Sequence, residues 1–537
     1  MTRQQVKAQN FRWWERGIIY QIYPRSFKDS NGDGIGDLNG IGEKLDYLQW
    51  LGTDAIWISP IFPSPMADFG YDVSDYTDID PIFGTLAEFD ALLADVHRRG
   101  MKLLLDYVPN HTSDRHPWFL DSCASRASAK RDWYIWCDPA PGGGPPNNWR
   151  ANFGGGAWEW DDRTGQYYYH AFLKEQPDLN WRNPDVQNAM LGVLRFWLDR
   201  DVDGFRVDAV HHLVEDLELR DNPRNPNWHS GMSPYRALLP THTVDLPEVQ
   251  QIVARMRGVV DEYEDRMLAI EVNLSAERLM AYYGPGGRGA HLPFNFQLIR
   301  LPWKAKEVAA AVERYEKLLP SHSWPNWVLG NHDKPRIASR AGAAQARVAA
   351  MLLLTLRGTP TLYYGDEIGM RDVPIPSDQL QDPFEKNVPG LGLGRDPVRT
   401  PMQWSGAAGA GFTAGKPWLP LDHNFRNLNV ETLRNQSTSI LTLYRRLVEL
   451  RRSEPALSIG DYAALPSGDD LMAYMRKAGE RRLLIVLNFG SQGRSFDLAG
   501  LQAQAVLLLS THLDRAREAL GNELRLRADE GVIAELS

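Results

Sequence analysis

The chain has 537 residues, more than one hydrophobic core usually serves, so we expect two or three domains. Its 59 Lys and Arg against 68 Asp and Glu give a net charge of −9 without any basic run, which argues against nucleic acid and anionic membranes as partners. The N-terminus lacks the apolar core of a signal peptide, and no apolar run approaches the roughly 20 residues that span a bilayer, so we expect a cytoplasmic protein. Cys123 and Cys137 are too few for a disulfide framework and are predicted to be free thiols, although pairing across a short loop stays open.

Short apolar runs with polar ends alternate with amphipathic segments along most of the chain. Eight such runs are found, at 17–24, 53–60, 101–111, 204–210, 267–273, 291–296, 324–333 and 358–369. Between them, segments 86–100, 186–200 and 343–358 carry apolar residues at spacings of three and four, which predicts helices. Eight strand and helix units predict an α/β fold, a (β/α)8 TIM barrel with insertions.

Two connections are far longer than the roughly 2 to 6 residues of an ordinary βα loop. Residues 112–179, rich in Gly, Pro and aromatic residues, predict an inserted subdomain after strand 3, and residues 371–424 predict a second wall of the site. From residue 458 onward, segments with a period of two predict a C-terminal antiparallel β domain. The predicted division is a barrel at 1–111 and 180–457, the inserted subdomain at 112–179 and the β domain at 458–537.

Ionisable side chains gather at the C-terminal ends of the predicted strands, where barrel enzymes carry their chemistry. Among them, Arg206 and Asp208 lie two residues apart on one strand and therefore share a face. A cation in that position favours the ionised carboxylate, as an attacking group requires, but a purely structural ion pair fits these letters equally well. The clustering of the other ionisable residues at strand ends favours the functional interpretation.

Three strand-end carboxylates, Asp208, Glu271 and Asp333, are distant in sequence and would meet only over the mouth of a barrel. Two carboxyl groups facing each other across a scissile bond are the usual equipment of glycoside hydrolysis. Because Arg206 lies beside Asp208 and favours its ionised form, Asp208 is predicted to be the anionic carboxylate of the pair. Glu271, between two apolar residues and with no adjacent cation in sequence, is predicted to be the proton donor.

Four segments resemble, in order and placement, the signature regions of the alpha-amylase family, glycoside hydrolase family 13: DYVPNH (106–111), GFRVDAVHH (204–212), EVN (271–273) and NHD (331–333). QPDLNW (176–181) resembles a fifth region of the type found in oligo-1,6-glucosidases and α-glucosidases. The resemblance implies a retaining mechanism. Asp208 would attack the anomeric carbon, Glu271 would protonate the leaving oxygen and then activate the acceptor, and Asp333 would bind the O2 and O3 hydroxyls. Around the reacting sugar it implies Arg206, His111 and His332, with Asp106 bracing Arg206.

The same resemblance implies a pocket for one terminal glucose. Asp68 and Tyr71 match the pair that lines it, and Arg399 matches the arginine that pairs with that aspartate and closes the far end. Phe153 and Phe172 match aromatic residues of the inserted subdomain beside the sugar, although a plain core role fits them nearly as well. The expected protein is an exo-acting α-glucosidase, monomeric or homodimeric, that releases or transfers the terminal glucose of short α-glucosides through a covalent glucosyl-enzyme.

Ala209, directly after the expected nucleophile, bears on the linkage that is cleaved. Relatives that prefer α-1,6 bonds tend to carry Val there, whereas Ala resembles the α-1,4 type, so maltose-like substrates are expected. A difference of one methylene is worth only about 1 to 3 kcal/mol of discrimination, so oligo-1,6-glucosidase, sucrose hydrolase and trehalose synthase activities stay open. KPRIASR (334–340) lacks the run associated with sucrose isomerases. A non-catalytic barrel scaffold is the alternative from another class, disfavoured because the three carboxylates are all present.

The segment DSNGDGIGD (29–37) supplies oxygens at positions 1, 3, 5 and 9 of an EF-hand-type loop. The predicted ligands are Asp29, Asn31, Asp33, Asp37 and the carbonyl of Ile35. Position twelve is Gly40 instead of Glu, so the loop is not a full EF-hand. It resembles the structural cation site on the first loop of this branch of the family, which implies Ca²⁺ or Mg²⁺ and no organic cofactor. A metal-free turn rich in Asp and Asn is the alternative.

Overall fold

The computed structural model describes residues 11–501 and 503–537. Its strands, numbered along the chain, are β1 (Ile19–Ile22), β2 (Ala55–Ile58), β3 (Lys102–Tyr107), β4 (Trp136–Cys137), β5 (Trp158–Asp161), β6 (Gln166–Tyr169), β7 (Gly204–Val207), β8 (Met267–Ile270), β9 (Leu292–Pro293), β10 (Asn326–Val328), β11 (Thr359–Tyr363), β12 (Asp461–Leu465), β13 (Leu471–Ala478), β14 (Arg481–Asn488), β15 (Arg494–Asp497), β16 (Ala505–Ser510), β17 (Ala519–Leu520), β18 (Glu523–Leu526) and β19 (Gly531–Leu536).

The α-helices are α1 (Trp13–Arg16), α2 (Pro24–Phe27), α3 (Leu38–Glu43), α4 (Leu45–Leu51), α5 (Leu86–Arg98), α6 (Pro117–Ser122), α7 (Pro184–Asp199), α8 (Glu248–Val260), α9 (Ala276–Met280), α10 (Gln297–Arg300), α11 (Ala305–Leu318), α12 (Ile337–Arg340), α13 (Ala343–Thr355), α14 (Pro383–Asn387), α15 (Val430–Arg434), α16 (Ile440–Ser453) and α17 (Pro455–Ser458). In the described part of the chain, no helix is long and apolar enough to cross a membrane.

A sheet of eight parallel strands forms the centre of the fold. Its spatial order is β10, β11, β1, β2, β3, β7, β8 and β9, so that the sheet curls into a nearly closed barrel. The residues of β1, β2, β7 and β8 are all buried, as expected for parallel strands that are covered on both faces. All eight predicted runs contain one of these strands, and the prediction of a (β/α)8 TIM barrel is confirmed.

The amphipathic segments form helices where the spacing predicts them, with ends fixed by local chemistry. Helix α5 begins at a capping box, in which the Thr85 side chain accepts from the Glu88 N–H and the Glu88 carboxylate accepts from the Thr85 N–H. Asn183 caps α7 and is followed by a proline at the first helical position. Helices α5 and α7 bury one apolar face, whereas α13 is buried on nearly all sides.

The connection from residue 112 to 179 contains the three-stranded antiparallel sheet β4, β6 and β5. A bridge between His111 and Asp178 joins the two ends of this connection, and a bridge between Tyr134 and Leu179 joins its interior to its C-terminal end. Two free thiols lie here, Cys123 after α6 and Cys137 in β4, as the sequence predicts. The bridge at Asp178 fixes this inserted sheet beside the barrel rim at His111.

The C-terminal residues form a six-stranded antiparallel sheet in the order β12, β13, β14, β19, β16 and β17, with a second pair of strands, β15 and β18. The predicted C-terminal antiparallel β domain is confirmed. It packs on α13 of the barrel, where the Gln345 side chain donates to the Asn488 carbonyl at 3.1 Å and Arg347 Nε donates to the Thr511 carbonyl at 2.9 Å.

Candidate active site

A cavity of about 1270 Å³ opens above the C-terminal ends of the barrel strands. Asp208 directly follows β7, Glu271 directly follows β8, and Asp333 lies a few residues beyond β10, so three distant segments meet at one place. Nine of the predicted residues line this cavity: Asp68, Tyr71, His111, Phe153, Phe172, Asp208, Glu271, His332 and Asp333. Arg206 and Arg399 are fully buried behind the cavity wall.

Arg206 holds three carboxyl groups together. Its Nη1 donates to Asp106 Oδ1 and to Asp208 Oδ1, each at 2.7 Å, and its Nη2 donates to Glu271 Oε2. Asp208 and Glu271 therefore lie side by side on one guanidinium group. Sequence adjacency does not show the contact with Glu271, because it crosses from β7 to the neighbouring strand β8.

The charge balance of this group differs from the simple prediction of an anionic Asp208. Burial raises the pKa of Asp208, Arg206 lowers it, and the charges of Glu271 and Asp106 raise it again, so that the net direction is upward. Burial likewise raises the pKa of Asp106 to about 6. One guanidinium offsets only one negative charge, so the upward pKa shifts of Asp106 and Asp208 follow from burial and from the negative charges crowded around Arg206.

His332 and Tyr71 form a stacked pair on the other side of Asp106. Their ring centroids are 5.4 Å apart with an angle of 6° between the planes, and Tyr71 Oη and His332 Nε2 are 2.7 Å apart. Tyr71 also donates to Asp106 Oδ2 at 3.1 Å, while Gln21 Nε2 donates to His332 Nδ1 at 2.7 Å. Burial holds the pKa of His332 well below its ordinary value, so this histidine is a neutral hydrogen-bonding group.

Asp333 lines the same cavity as Asp208 and is bound by two arginines. Arg399 Nη2 contacts Asp333 Oδ1 at 2.8 Å, and Arg395 Nη1 approaches the same oxygen at 3.5 Å. Burial alone would raise the pKa of Asp333, but the surrounding positive charges, including both arginines, outweigh it and hold that pKa below its ordinary range. Asp333 is therefore an anion at any physiological pH.

Asp68 is paired with Arg395, not with Arg399. Arg395 Nη2 contacts Asp68 Oδ1 at 2.5 Å and Asp382 Oδ1 at 2.6 Å, whereas Arg399 Nε donates to the His332 carbonyl at 2.8 Å. The predicted pairing of Asp68 with Arg399 is wrong. The two arginines flank a short 3-10 turn (Asp396–Val398), which directs Arg395 into the cavity wall and Arg399 behind Asp333.

Aromatic side chains of the inserted segment form one wall of the cavity. The Arg395 guanidinium lies over the Phe153 ring at 4.6 Å, and Phe153 contacts Phe172 at 5.7 Å between centroids. Phe172 in turn contacts His111 at 5.3 Å. Burial lowers the pKa of His111 to about 3, so His111 is neutral and offers hydrogen bonds without charge.

Several polar residues at the site were not among the predicted ones. Gln176 Nε2 lies 3.0 Å from His111 Nε2 and 3.5 Å from Asp68 Oδ2, and Asn273 Nδ2 donates to Glu271 Oε1 at 2.7 Å. Both residues belong to the segments QPDLNW and EVN that mark the site in sequence, so motif membership was the available signal. Arg395 is the first residue of RDPVRTPMQW (395–404), the segment that pointed to Arg399, so it had the same signal. Asp382 has none, since it lies in the irregular connection after β11.

The predicted cation loop keeps its turns. Asp29 Oδ1 accepts from the N–H groups of Asn31 at 2.9 Å and Gly32 at 2.6 Å, and Asp33 Oδ1 accepts from the Ile35 N–H at 2.8 Å. Asp37 is instead the N-cap of α3, accepting from the Gly40 N–H. Across residues 11–501 and 503–537, the only group of three Asp, Glu, His or Cys side chains with ligand atoms within 4.8 Å of one another lies elsewhere, at His512, Asp514 and Glu530. A cation here would therefore depend on Asn31 and carbonyl oxygens as well as on carboxylates.

Comparison with known proteins decides the family. The alpha-amylase catalytic domain matches residues 21–460. The chain belongs to the alpha-amylase family. The predicted resemblance to glycoside hydrolase family 13 is thereby confirmed, and with it the prediction of a glycoside hydrolase rather than a binding scaffold.

Within the alpha-amylase family, this enzyme falls in the group of α-glucosidases and oligo-1,6-glucosidases. It is 42% identical over 503 residues to a probable alpha-glucosidase of Rhizobium meliloti (strain 1021), covering 90% of this chain and 91% of that protein. It is 36% identical to an oligo-1,6-glucosidase of Parageobacillus thermoglucosidasius, covering 98% of this chain and 99% of that protein. The crystal structure of an alpha-glucosyl transfer enzyme, XgtA, superimposes with a TM-score of 0.93 at 40% identity, covering 98% of this chain and 100% of that one.

Proposed function

We propose that the enzyme is a retaining, exo-acting α-glucosidase that acts on short α-glucosides, with α-1,4-linked substrates such as maltose preferred. One observation carries this proposal: Asp208 and Glu271, which both line the cavity, share the guanidinium of Arg206. Carboxyl pairs in retaining enzymes are about 5 to 5.5 Å apart, closer than the roughly 6.5 to 9.5 Å of inverting pairs. Contact with one guanidinium favours the closer spacing.

The contacts give each carboxyl a distinct part in the reaction. Asp208 has one oxygen fixed by Arg206, which leaves the other to form a bond to the anomeric carbon while the glycosidic C–O bond breaks. Glu271 acts as the general acid and donates a proton to the leaving oxygen. In the second step Glu271 takes a proton from water or from a sugar hydroxyl, whose oxygen then displaces Asp208. Asp333 is the anion placed to accept hydrogen bonds from sugar hydroxyls.

The ion pair of Asp68 with Arg395 supports action at a chain end. Arg395 bonds to Asp68 and lies over the Phe153 ring, so these side chains form a continuous part of the cavity wall, as a pocket that is closed behind one terminal glucose requires. Small-molecule α-glucosides are therefore the proposed substrates. Ala209, which lines the cavity directly after Asp208, supports the α-1,4 preference.

Hydrolysis of p-nitrophenyl α-glucoside by the wild-type enzyme and by Asp208→Asn tests the proposal. We expect the variant to lose at least about a thousandfold in kcat, because the amide cannot form the covalent intermediate. Asp90→Asn, an exposed aspartate of α5 that pairs with Arg200, is the matched control and should retain activity. Comparable rates for the wild type and Asp208→Asn would refute the enzyme mechanism.

Product analysis with maltose, isomaltose, sucrose and trehalose tests the linkage preference. Maltose should be cleaved with the highest kcat/KM of the four, and equal or better cleavage of isomaltose would contradict the interpretation of Ala209. Transfer of glucose to a sugar hydroxyl is the second candidate activity, favoured by the close structural similarity to an alpha-glucosyl transfer enzyme. The same product analysis at high substrate concentration measures it as oligosaccharides formed per glucose released.

We also propose that the loop at residues 29–37 holds a structural Ca²⁺ or Mg²⁺ ion. The turns at Asp29, Asn31 and Asp33 support it, because they present oxygens in the spacing that such ions prefer. The cation would stiffen the first loop and would take no part in the reaction. Cytoplasmic location and a monomeric or homodimeric state stay predictions.

A further inference from the structure

Three cationic side chains line the cavity on the side of Glu271: Arg236, Arg300 and Lys334. Arg300 Nη2 donates to Asn273 Oδ1, and Asn273 donates to Glu271 Oε1 at 2.7 Å. A single residue, Asn273, therefore links Arg300 to the proposed proton donor by hydrogen bonds. Arg236 comes from the connection between β7 and β8, and Lys334 directly follows Asp333. The leaving group departs past Glu271, and these cations therefore lie where it must pass.

The carboxylates of the cavity already have partners of their own. Asp208 and Glu271 are bound by Arg206, while Asp333 is bound by Arg399. The remaining pairs are Asp68 with Arg395 and Asp245 with Arg278, and Asp372 accepts from the Arg336 N–H at 2.9 Å.

Arg236, Arg300 and Lys334, by contrast, have no carboxylate within 4.0 Å anywhere in the described chain. Partial desolvation inside the cavity lowers the pKa of Lys334, Asp333 opposes that effect, and the charges of Arg300 and Arg236 add to it. Desolvation and the charge of Arg236 also lower the pKa of Arg300. Glu271 opposes the lowering of both pKa values, but it is itself bound to Arg206, so the three cations have no ion-pair partner of their own among the described residues. An anion bound between them would offset their mutual repulsion.

We propose that the leaving-group side of the cavity binds an anion, so that the preferred α-glucosides carry a phosphate or a carboxylate beyond the scissile bond. This inference rests on the proposed α-glucosidase function and names the class of its aglycone. The two arginines offer planar forks suited to either oxyanion, and Lys334 adds a point charge. The same anion would select acceptors when the glucosyl-enzyme reacts with a sugar hydroxyl.

A pair of aryl glucosides tests the proposal directly. The substrates are 4-carboxyphenyl α-glucoside and its neutral counterpart, 4-carbamoylphenyl α-glucoside, compared as the ratio of their kcat/KM values. We expect the wild-type ratio to exceed one and to fall by about three- to tenfold in the double variant Arg236→Gln/Lys334→Gln. Since both substrates are measured on the same protein, a general loss of activity cancels in the ratio. The ratio should also fall as NaCl is raised from about 20 to 500 mM, because salt screens exposed charges.

Charge-conserving and remote variants complete the design. Arg236→Lys/Lys334→Arg should keep most of the preference, because the charges remain. Lys477→Gln removes an exposed charge from β13, outside the cavity, and should leave the ratio unchanged. A second substrate pair, trehalose and trehalose 6-phosphate, is compared by glucose release. A larger preference for the charged member of the aryl pair identifies carboxylate as the ligand, and a larger preference in this sugar arm identifies phosphate.

The outcomes separate this inference from the function on which it rests. Cleavage of both aryl glucosides with a ratio of one or less, together with no preference in the sugar arm, would overturn the anion site and leave the α-glucosidase standing. A preference that survives Arg236→Gln/Lys334→Gln unchanged would also overturn it. Failure to cleave any of the four glucosides would overturn the proposed function and, with it, the inference.

Discussion

At the scale of single residues, two arginines only four positions apart perform different tasks. Arg395 lies in the cavity wall and pairs with Asp68 and Asp382, whereas Arg399 is fully buried and supports Asp333 and the carbonyl of His332. An arginine that bridges two buried carboxylates is costly to remove, because its loss leaves both as unpaired charges away from water.

Arg395→Gln is therefore expected to lower kcat/KM for maltose by about 100-fold or more, mainly through KM, since breaking a buried ion pair costs about 3 to 5 kcal/mol. Arg395→Lys should lie between the variant and the wild type, because it keeps the charge but not the fork that reaches Asp68 and Asp382 together. Steady-state kinetics on maltose and p-nitrophenyl α-glucoside measure both effects. Arg494→Gln, an exposed arginine paired with Asp470 in the β domain, is the control. A kcat/KM for Arg395→Gln within threefold of the wild type would remove Asp68 and Arg395 from the glucose pocket.

The sequence predicted the three proposed catalytic carboxylates and the contacts of Arg206 with Asp208 and Asp106, but not the remaining partners, and the reason is physical. Asp208 and Glu271 follow apolar runs directly, so the change from buried strand to polar loop marks them in the letters. The contact of Glu271 with Arg206, and the choice between Arg395 and Arg399, depend on which strands are neighbours and on the direction of a short turn. Neither strand adjacency nor the direction of a turn produces a periodic pattern in the sequence.

At the scale of elements, the strands and helices were predictable from the sequence, but the conformation of the long connections was not. The eight strands and their helices were predictable because burial on both faces gives short apolar runs and burial on one face gives helical spacing. The irregular connections at 112–179 and 371–424 were recognised by their length and composition alone, and the connection from β7 to β8, which supplies Arg236, was not singled out. Irregular backbone is fixed by individual contacts, so its conformation could not be predicted from pattern.

The first loop gives a prediction on metal binding. Ca²⁺ at about 100 times its Kd should stabilise the enzyme by about 2.7 kcal/mol over a chelated sample, because an ion that binds only the folded state shifts unfolding by mass action. Asp33→Asn removes one ligand charge but conserves the shape and the oxygen that accepts from Ile35, so it should reduce this gain. Calorimetry with and without EDTA measures the shift, with the exposed Asp46→Asn as control. An unfolding temperature that is the same with Ca²⁺, Mg²⁺ and EDTA would identify the loop as a metal-free turn.

A buried carboxyl between the inserted segment and the barrel gives a prediction on pH. Burial raises the pKa of Glu215 to about 8, opposed in part by Arg182, and burial together with the charge of Glu215 raises the pKa of Asp178. A folded-state pKa above the unfolded value of about 4.3 means that the wild type is favoured below about pH 4 and loses that stability as pH rises toward 8. Glu215→Gln should therefore match the wild type near pH 4 and exceed it by a few kcal/mol near pH 8, since each pKa unit is about 1.4 kcal/mol.

Thermal unfolding of the wild type and Glu215→Gln between pH 4 and 9 checks this sign. The neighbouring Glu218, whose side chain is 74% exposed, provides the control variant Glu218→Gln, which should show no such pH-dependent gain. An equal effect of Glu215→Gln at pH 4 and pH 8 would show that Glu215 does not retain its proton in the folded enzyme.

At the scale of the whole molecule, the barrel and the C-terminal domain share one apolar core. Met472, Tyr474 and Ile485 of the β domain belong to the same cluster of buried side chains as Leu352 and Leu354 of α13. The polar contacts of Gln345 and Arg347 with the β domain reinforce this interface. Because the shared surface is apolar and continuous, neither part can unfold without exposing the core of the other.

The enzyme is therefore expected to unfold in one cooperative transition, and a defect placed far from the barrel should lower its temperature as a whole. Leu524 suits this test, since it is fully buried in a separate cluster inside the β domain. Leu524→Ala should cost about 2 to 5 kcal/mol through the cavity it leaves, and Arg525→Ala, the next and exposed residue of β18, should cost little. If the two parts unfold together, the temperature at which maltose hydrolysis is lost should fall in Leu524→Ala along with the single calorimetric peak. If instead a second peak separates at low temperature while activity is lost at the wild-type temperature, the β domain unfolds on its own and the shared core does not couple it to the barrel.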